Sequence, residues 1–310
     1  MSSRTASFRS SPYVLLSLTA LFWSLNWVIG RGIAGHVTPF ALAFIRWLVA
    51  VAVMMPFAWP EIRAHRALIR HHWKVIVWLA FWGTGLHNVF AYVGLQYTTA
   101  TNGVMLNSAV PVMIILMGWL IYRDTITRAQ ALGVAVSLVG VLAILTRGDF
   151  GVLARLSLNK GDLIILVGMI FWAGYTIFLR MKPAELPGLA LLACCGCVGL
   201  LLLFPLFAFE MAFLGGHVEI RPATVAAMAF VGIFPSFVGY IFWNRAVAEV
   251  GSNVAGIFMH LIPAFGSLLA WFFLGERIHV FHLVGIALIL AGIALTSRGH
   301  RALAPEPGPE

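Results

Sequence analysis

Ten stretches of this chain are long and apolar enough to cross a lipid bilayer, and no water-soluble fold can dispose of that much apolar run. A helix spanning the hydrocarbon needs about 20 mostly apolar residues, each rising about 1.5 Å through a core about 30 Å thick. The runs lie near 12–34, 38–59, 73–97, 101–122, 128–146, 160–181, 187–209, 223–249, 251–274 and 279–297, and the intervals between them are too short for a soluble domain. They lack the strict alternation of a membrane barrel, and an open sheet edge finds no hydrogen-bond partner in lipid. The sequence therefore predicts an all-α membrane protein. Composition agrees: 10% of the 310 residues are charged and mean hydropathy is +0.95, whereas soluble domains carry about 25% charge.

Arg4 and Arg9 followed by an apolar run suggest a secretory signal. The run from Val14 to Ile29 is longer than a signal core, however, carries Asn26 and two tryptophans, and lacks a small-x-small cleavage site, so it reads as a retained first helix. The tail Ala302–Glu310, with Pro305, Pro307 and Pro309, reads as disordered. The net charge of +9 is spread over short loops and forms no continuous basic face for nucleic acid. With a cytoplasmic N-terminus, thirteen Lys/Arg fall on the cytoplasmic side and six opposite, with Arg46 inside a span. The excess of positive charge then places both tails, 1–11 and 298–310, in the cytoplasm. Cys194, Cys195 and Cys197 share one span, which excludes disulfides between loops and reads as small-residue packing without a metal or cofactor.

Sliding the chain on itself by 152 residues aligns Pro111 with Pro263, Trp119 with Trp271, Asp124 with Glu276, Ile126 with Ile278, Gly133 with Gly285 and Gly140 with Gly292. An offset of 149 aligns Phe22-Trp23 with Phe171-Trp172 and Arg31 with Arg180. Five helices per half is an odd number, so residues 12–146 and 160–297 must enter the membrane from opposite sides. Such inverted repeats underlie alternating access in transporters.

The stretch Ala248–Leu295, "AEVGSNVAGIFMHLIPAFGSLLAWFFLGERIHVFHLVGIALILAGIAL", closely resembles the last two helices of the drug/metabolite transporter superfamily in its ten-helix EamA-type branch. The first half repeats the pattern in "LQYTTATNGVMLNSAVPVMIILMGWLIYRD" and "LGVAVSLVGVLAIL". The resemblance covers residues 12–297 and implies a basket of five plus five helices around a central cavity built by helices 1, 3, 4, 6, 8 and 9. The opening "FWSLNWVIGRGIAGHVTP", with the placement of His87 and Trp172, is most similar to the aromatic amino-acid and paraquat exporters of bacterial inner membranes.

All 11 carboxylates read as lying at span ends or in loops, so neither a buried carboxylate relay nor an acidic pocket for cationic drugs is encoded. The candidate substrate contacts are instead aromatic and neutral: Trp23 and Asn26 on helix 1, His87 and Tyr92 on helix 3, Asn107 on helix 4, Trp172 and Tyr175 on helix 6, Tyr240 and Trp243 on helix 8, and His260 on helix 9. They can stack on a solute and hydrogen-bond its polar groups without fixing a formal charge. Repeat symmetry favours the cavity for Trp23 and Trp172; Tyr92 and Trp243 fit a cavity or an interfacial belt equally well. His87 and His260 are read as neutral hydrogen-bonding partners, with proton transfer as the alternative. Arg46, roughly 12 Å along helix 2 from its outer end, reads as structural or gating, with a substrate carboxylate as the other partner open to it. Pro111 and Pro263 read as paired hinges or static bends. Gly133-x₃-Ser137 and Ala287-x₃-Ala291 permit close helix contact, and packing within each half of a monomer is the expectation.

No H-E-x-x-H, carboxylate pair within a span or G-x-S-x-G elbow supports an enzyme. A static pore has no need of the repeat. The reading is a bacterial inner-membrane carrier that exports aromatic and other neutral amino acids or related metabolites, with a multidrug or cationic-toxin exporter as the alternative.

Overall fold

A computed structural model of the chain describes residues 11–149, 151, 159–274 and 277–301. Most of both tails, and Glu276, the repeat partner of Asp124, lie outside the described residues. The long helices are α1 (Pro12–Gly32), α2 (Pro39–Ala64), α3 (Trp73–Leu95), α4 (Asn102–Tyr122), α5 (Arg128–Leu145), α6 (Lys160–Met181) and α7 (Gly188–Phe213). A further helical stretch, Pro222–Leu269, is 48 residues long and holds two crossings. They meet at Gly251, whose φ of 78° lies in the left-handed region that glycine adopts without steric cost. Its two crossings are α8 (222–250) and α9 (252–274), and α10 (Val280–Arg301) closes the chain. Ten crossings return the chain to the face where it began, called here the terminal face; the other is the far face.

Local sequence sets the helix starts. Proline in the first turn opens α1, α2 and α8, where its missing N–H costs nothing. Capping boxes open α5 (Thr127 with Gln130) and α6 (Asn159 with Asp162). The start of α2 is capped from another helix: buried Glu210, near the far end of α7, accepts from Thr38 Oγ1 at 2.6 Å, Ala41 N at 2.8 Å and Phe40 N at 3.2 Å. A carboxylate there meets the partial positive charge of a helix N-terminus.

The two offsets seen in the sequence describe the packing. α1 lies on α8 and α9, as α6 lies on α3 and α4; α2 lies on α8, as α7 lies on α3. α2 meets α7, and α5 meets α10, across the pseudo-twofold axis. At the α5–α10 seam, a Cβ on Gly292 would come within 2.4 Å of Gly133 O, and one on Gly140 within 2.6 Å of Gly285 O. The seam therefore joins the two halves, which corrects the expectation of packing within each half. Gly285 and Gly292 carry it, seven residues apart on one face. Ala287 and Ala291 are exposed on the opposite face.

The symmetry reaches the irregular backbone. Both α3 and α8 widen into a π-helical turn, Ala80–Leu86 and Gly232–Val238, at the same offset of 152 residues. Both α4 and α9 are interrupted just before their prolines. Ser108 and Ala109 separate Ala100–Asn107 from Val110–Tyr122, and a 3₁₀ turn over Phe258–His260 precedes Leu261–Leu274. Pro111 and Pro263 thus head a new helical segment instead of bending a continuous one.

Candidate functional site

A π turn shifts backbone bonding from i−4 to i−5, which frees a carbonyl for side chains. In α3 the carbonyl of Gly83 accepts from Tyr240 Oη at 2.9 Å; in α8 the equivalent Pro235 O accepts from Trp23 Nε1 at 3.0 Å. Those bonds fix two aromatic side chains at the centre of the molecule. Trp23 meets its repeat mate Trp172 edge to face, with centroids 4.8 Å apart. Around Trp172 stand His87 at 5.1 Å, Tyr240 at 5.2 Å, Tyr175 at 5.3 Å and Trp243 at 5.5 Å. Such contacts hold rings in one arrangement more firmly than apolar burial alone does.

Against this aromatic cluster lies a pocket of about 40 Å³, enough for roughly two or three waters. Its walls are Trp23, Asn26 and Trp27 of α1, Arg46 of α2, His87, Asn88, Ala91, Tyr92 and Leu95 of α3, Asn107 of α4, Trp172 of α6, Tyr240 of α8, and Met259 and Ile262 of α9. At about 1.5 Å per residue, Arg46 sits roughly 10 Å from the far end of α2 and Trp172 roughly 18 Å from the far end of α6. The guanidinium is therefore on the far side of the aromatic cluster.

Arg46 is 2% exposed. Its Nε donates to Ser236 Oγ at 2.8 Å, and its Nη1 to Asn88 Oδ1 at 2.8 Å and Tyr92 Oη at 2.7 Å. Tyr92 Oη in turn donates a hydrogen bond to Asn26 Oδ1 at 3.0 Å. All of these partners are neutral, and no ion pair to Arg46 forms among the described residues. His87 Nδ1 lies 2.8 Å from Gly168 O; a carbonyl only accepts, so this nitrogen holds the proton and Nε2 is left as an acceptor. Asn107 Nδ2 and Trp172 Nε1 are buried without a hydrogen-bond partner.

Toward the terminal face the cluster continues through Tyr175 and Trp243. Tyr175 Oη donates to Asn244 Oδ1 at 2.9 Å, and Trp243 Nε1 to Thr176 Oγ1 at 3.3 Å. Thr176 and Asn244 also line a much larger cavity, about 980 Å³, between the terminal-face ends of α6, α7, α8 and α9. Arg180, Lys182, Arg245 and Glu249 stand among its walls. Burial lowers the Lys182 ammonium from its ordinary pKa, opposed by the charge of Glu185. The aromatic cluster thus separates the small polar pocket from this groove. On the far face the level equivalent to Thr176 is filled by Trp27, whose indole would lie 2.6 Å from a Cβ on Gly103.

Of the ten residues proposed from sequence, seven line the pocket together: Trp23, Asn26, His87, Tyr92, Asn107, Trp172 and Tyr240. Tyr175 and Trp243 lie one layer below, in the cluster that closes it. His260 does not line it. Its Nε2 donates to Ser108 O at 3.0 Å and its Nδ1 takes a short hydrogen bond from Ser137 Oγ, so it ties α9 to α4 and α5. Ser108 is its own repeat mate, so the two interrupted helices meet at their breaks. Sequence reasoning missed Asn88 and Ser236, the partners of Arg46. Asn88 lies four residues before Tyr92 and so shares its helix face, a signal that was available. Among the described residues no group of three His, Cys, Asp or Glu could hold a metal ion.

The model of the EamA-like transporter family matches residues 10–146 and again residues 159–298. YyaM of Bacillus subtilis strain 168, an uncharacterized transporter, is 27% identical over 93% of each chain. An uncharacterized transporter of Archaeoglobus fulgidus is 28% identical over 93% of this chain and 98% of its own. One solved protein structure superposes with a TM-score of 0.72 at 19% identity, over 96% of this chain and all of the other, and shares the fold.

Proposed function

The chain belongs to the EamA-like transporter family, and from that premise we propose that it exports aromatic and other neutral amino acids, with related small metabolites, by alternating access. The observation that carries this reading is the small pocket on the far side of Trp23 and Trp172, with polar walls on one side and an aromatic floor that parts it from the groove. A solute of amino-acid size fills such a site once the floor parts, stacking on the indoles while its polar end meets the pocket walls. With the tails in the cytoplasm of a bacterial inner membrane, the groove is the inner vestibule and the cluster of Trp172, Tyr175, Tyr240 and Trp243 is the inner gate. Arg46 and Asn107 set the polar end of the site, and the breaks before Pro111 and Pro263 let α4 and α9 move as two segments. The protein acts as a monomer, because the glycine seam is spent between its own halves.

Export of cationic toxins is the weaker reading. No carboxylate lines the pocket and a guanidinium does, so a cation would meet repulsion in a medium that screens it little.

The test is flux. Purified protein in liposomes should carry labelled Phe, Thr or Met with saturation and with competition by unlabelled solute. Linear uptake without competition would assign a channel instead, and failure across a broad amino-acid panel would remove the substrate class. Trp172→Ala and His87→Ala should lower flux while the purified variants remain folded.

A further inference from the structure

The pocket is unbalanced in hydrogen-bond donors. Arg46 brings a full positive charge into the membrane, and none of its three partners carries the matching negative one. Among the described residues its hydrogen bonds run from Nε and Nη1 and none from Nη2, and Asn107 Nδ2 and Trp172 Nε1, both on pocket-lining residues, find no partner there. Of the side-chain acceptors on the lining residues, Asn88 Oδ1 is held by Arg46 and Asn26 Oδ1 by Tyr92. His87 Nε2 and Asn107 Oδ1 are left without a donor among the described residues.

An ammonium brings three donors and a second positive charge beside Arg46, and no carboxylate among the described residues lines the pocket to offset it. A carboxylate brings only acceptors, and its charge offsets that of Arg46. A buried cation without a counter-charge is costly enough that its presence calls for a charged partner in the working cycle. We infer that the group this pocket recognises is the carboxylate of an organic acid with an aromatic or apolar body, bound by Arg46 with Asn107 and Trp172, and that an α-amine adds nothing to recognition. The inference rests on the reading of this pocket as the substrate site. It extends the substrate class from amino acids to monocarboxylates that have no amine.

The experiment is a competition series on the unmodified protein in liposomes, against uptake of labelled Phe. The competitors are 3-phenylpropanoate, which keeps the acid and lacks the amine, phenethylamine, which keeps the amine, and 3-phenylpropanamide, which keeps shape and loses charge. The acid should compete within about threefold of Phe, and both others at least about tenfold more weakly, the size of one charge-assisted hydrogen bond. Equal competition by acid and amine would overturn the inference, and so would competition by the amine alone.

Arg46→Gln should abolish the preference of acid over amide, whereas Arg46→Lys should keep it. A structural role for Arg46 would lower transport while leaving the preference intact. Should Arg46→Gln fail to fold, Trp172→Phe, which removes the indole N–H and keeps a ring, should weaken the acid several-fold and the amide hardly at all. The failures separate. Phe uptake that phenylpropanoate cannot inhibit refutes the inference and leaves the exporter reading standing. Absent amino-acid flux, with phenylpropanoate still changing tryptophan fluorescence in an Arg46-dependent way, refutes the amino-acid reading and leaves the carboxylate site standing.

Discussion

Tyr175→Phe should shift the resting equilibrium of the carrier toward the state open at the terminal face, and Tyr92→Phe should shift it the opposite way. The two hydroxyls occupy mirrored links. Tyr92 Oη donates to Asn26 Oδ1 between α3 and α1, and Tyr175 Oη donates to Asn244 Oδ1 between α6 and α8. Asn26 is the repeat mate of Tyr175 and Tyr92 that of Asn244, so the same bond is written twice with its partners exchanged. One link lies on the far side of Trp172 and one on the terminal side. Removing the Tyr175 hydroxyl leaves its ring contacts with Trp172 and Tyr240 in place and strands Asn244 Oδ1 at the groove, where water can reach it. The loss is that of one neutral hydrogen bond, about 0.5–1.5 kcal/mol, or about a 2- to 12-fold change in the ratio of the two states. Removing the Tyr92 hydroxyl also takes an acceptor from a buried guanidinium, so its effect should be about tenfold or more. The readout is KM measured from each face in proteoliposomes whose sidedness is fixed by a cleavable N-terminal tag. Apparent affinity from one face scales with the fraction of protein open to it. Tyr175→Phe should therefore lower the terminal-face KM and raise the far-face KM. In an uncoupled carrier Vmax/KM must stay equal in the two directions, which guards against a change in substrate contact. Shifts in the same direction for both variants, or no shift from stable Tyr175→Phe, would refute the idea that these bonds latch opposite gates.

The glycine seam gives a stability prediction: Gly292→Val places atoms where even a Cβ lies 2.4 Å from Gly133 O, so it should cost more than the roughly 1–3 kcal/mol of ordinary overpacking, seen as loss of monodisperse protein, while Ala291→Val on the exposed face should purify like the parent. Glu210→Ala removes the acceptor for three donors at the start of α2 and should destabilise by about 1–2 kcal/mol, read as a lower thermal midpoint in detergent; an unchanged midpoint would mean water replaces the cap. An imposed pH gradient should change Phe flux little, as expected of an uncoupled carrier, because no carboxylate among the described residues lines the pocket; a flux that follows the gradient would refute this and point to His87, whose Nε2 is open to a proton.

The fold was legible because a bilayer leaves a chain so few options: apolar runs of about 20 residues are either crossings or nothing. The repeat was legible too, since Trp23 with Trp172 and Pro111 with Pro263 recur at fixed offsets. What escaped was geometry that depends on the local helix type. Nothing in Ala80–Leu86 announces a π turn, and only Pro235 hints at one in Gly232–Val238. Yet those turns free the carbonyls that aim Trp23 and Tyr240. His260 was misplaced for a similar reason: the three residues of its 3₁₀ turn each advance about 120° instead of 100°, rotating the imidazole from the cavity toward Ser137. The partners of Arg46 come from 42 and 190 residues away, a distance no local pattern spans. Of the two four-residue pairs, Gly133 and Ser137 of α5 do lie at the seam, against Gly292, whereas Ala287 and Ala291 of α10 face away from it; on α10 the glycines that touch are spaced by seven.

The two halves agree in backbone and differ in what they offer a ligand. Arg46 stands opposite Cys195 in the repeat, His87 opposite Gly239, Asn88 opposite Tyr240 and Asn107 opposite Met259. The first half of the chain supplies the charge and most of the polar groups, while the second supplies Trp172, Tyr240 and the apolar residues of α9. A ligand held between them has one orientation, its carboxylate at Arg46 on the far side and its body against the aromatic floor. That orientation can be tested without touching the protein. A bulky group at the para position of the ring points past Trp172 at Tyr175, Tyr240 and Trp243, which must close beneath the ligand, whereas a methyl group on the amine meets no hydrogen-bond partner that recognition depends on. para-tert-Butylphenylalanine should therefore bind yet block turnover, acting as a non-transported inhibitor. N-methylphenylalanine should be carried nearly as well as Phe. The reverse ranking would mean that the amine faces the floor and would turn the ligand end for end in the pocket.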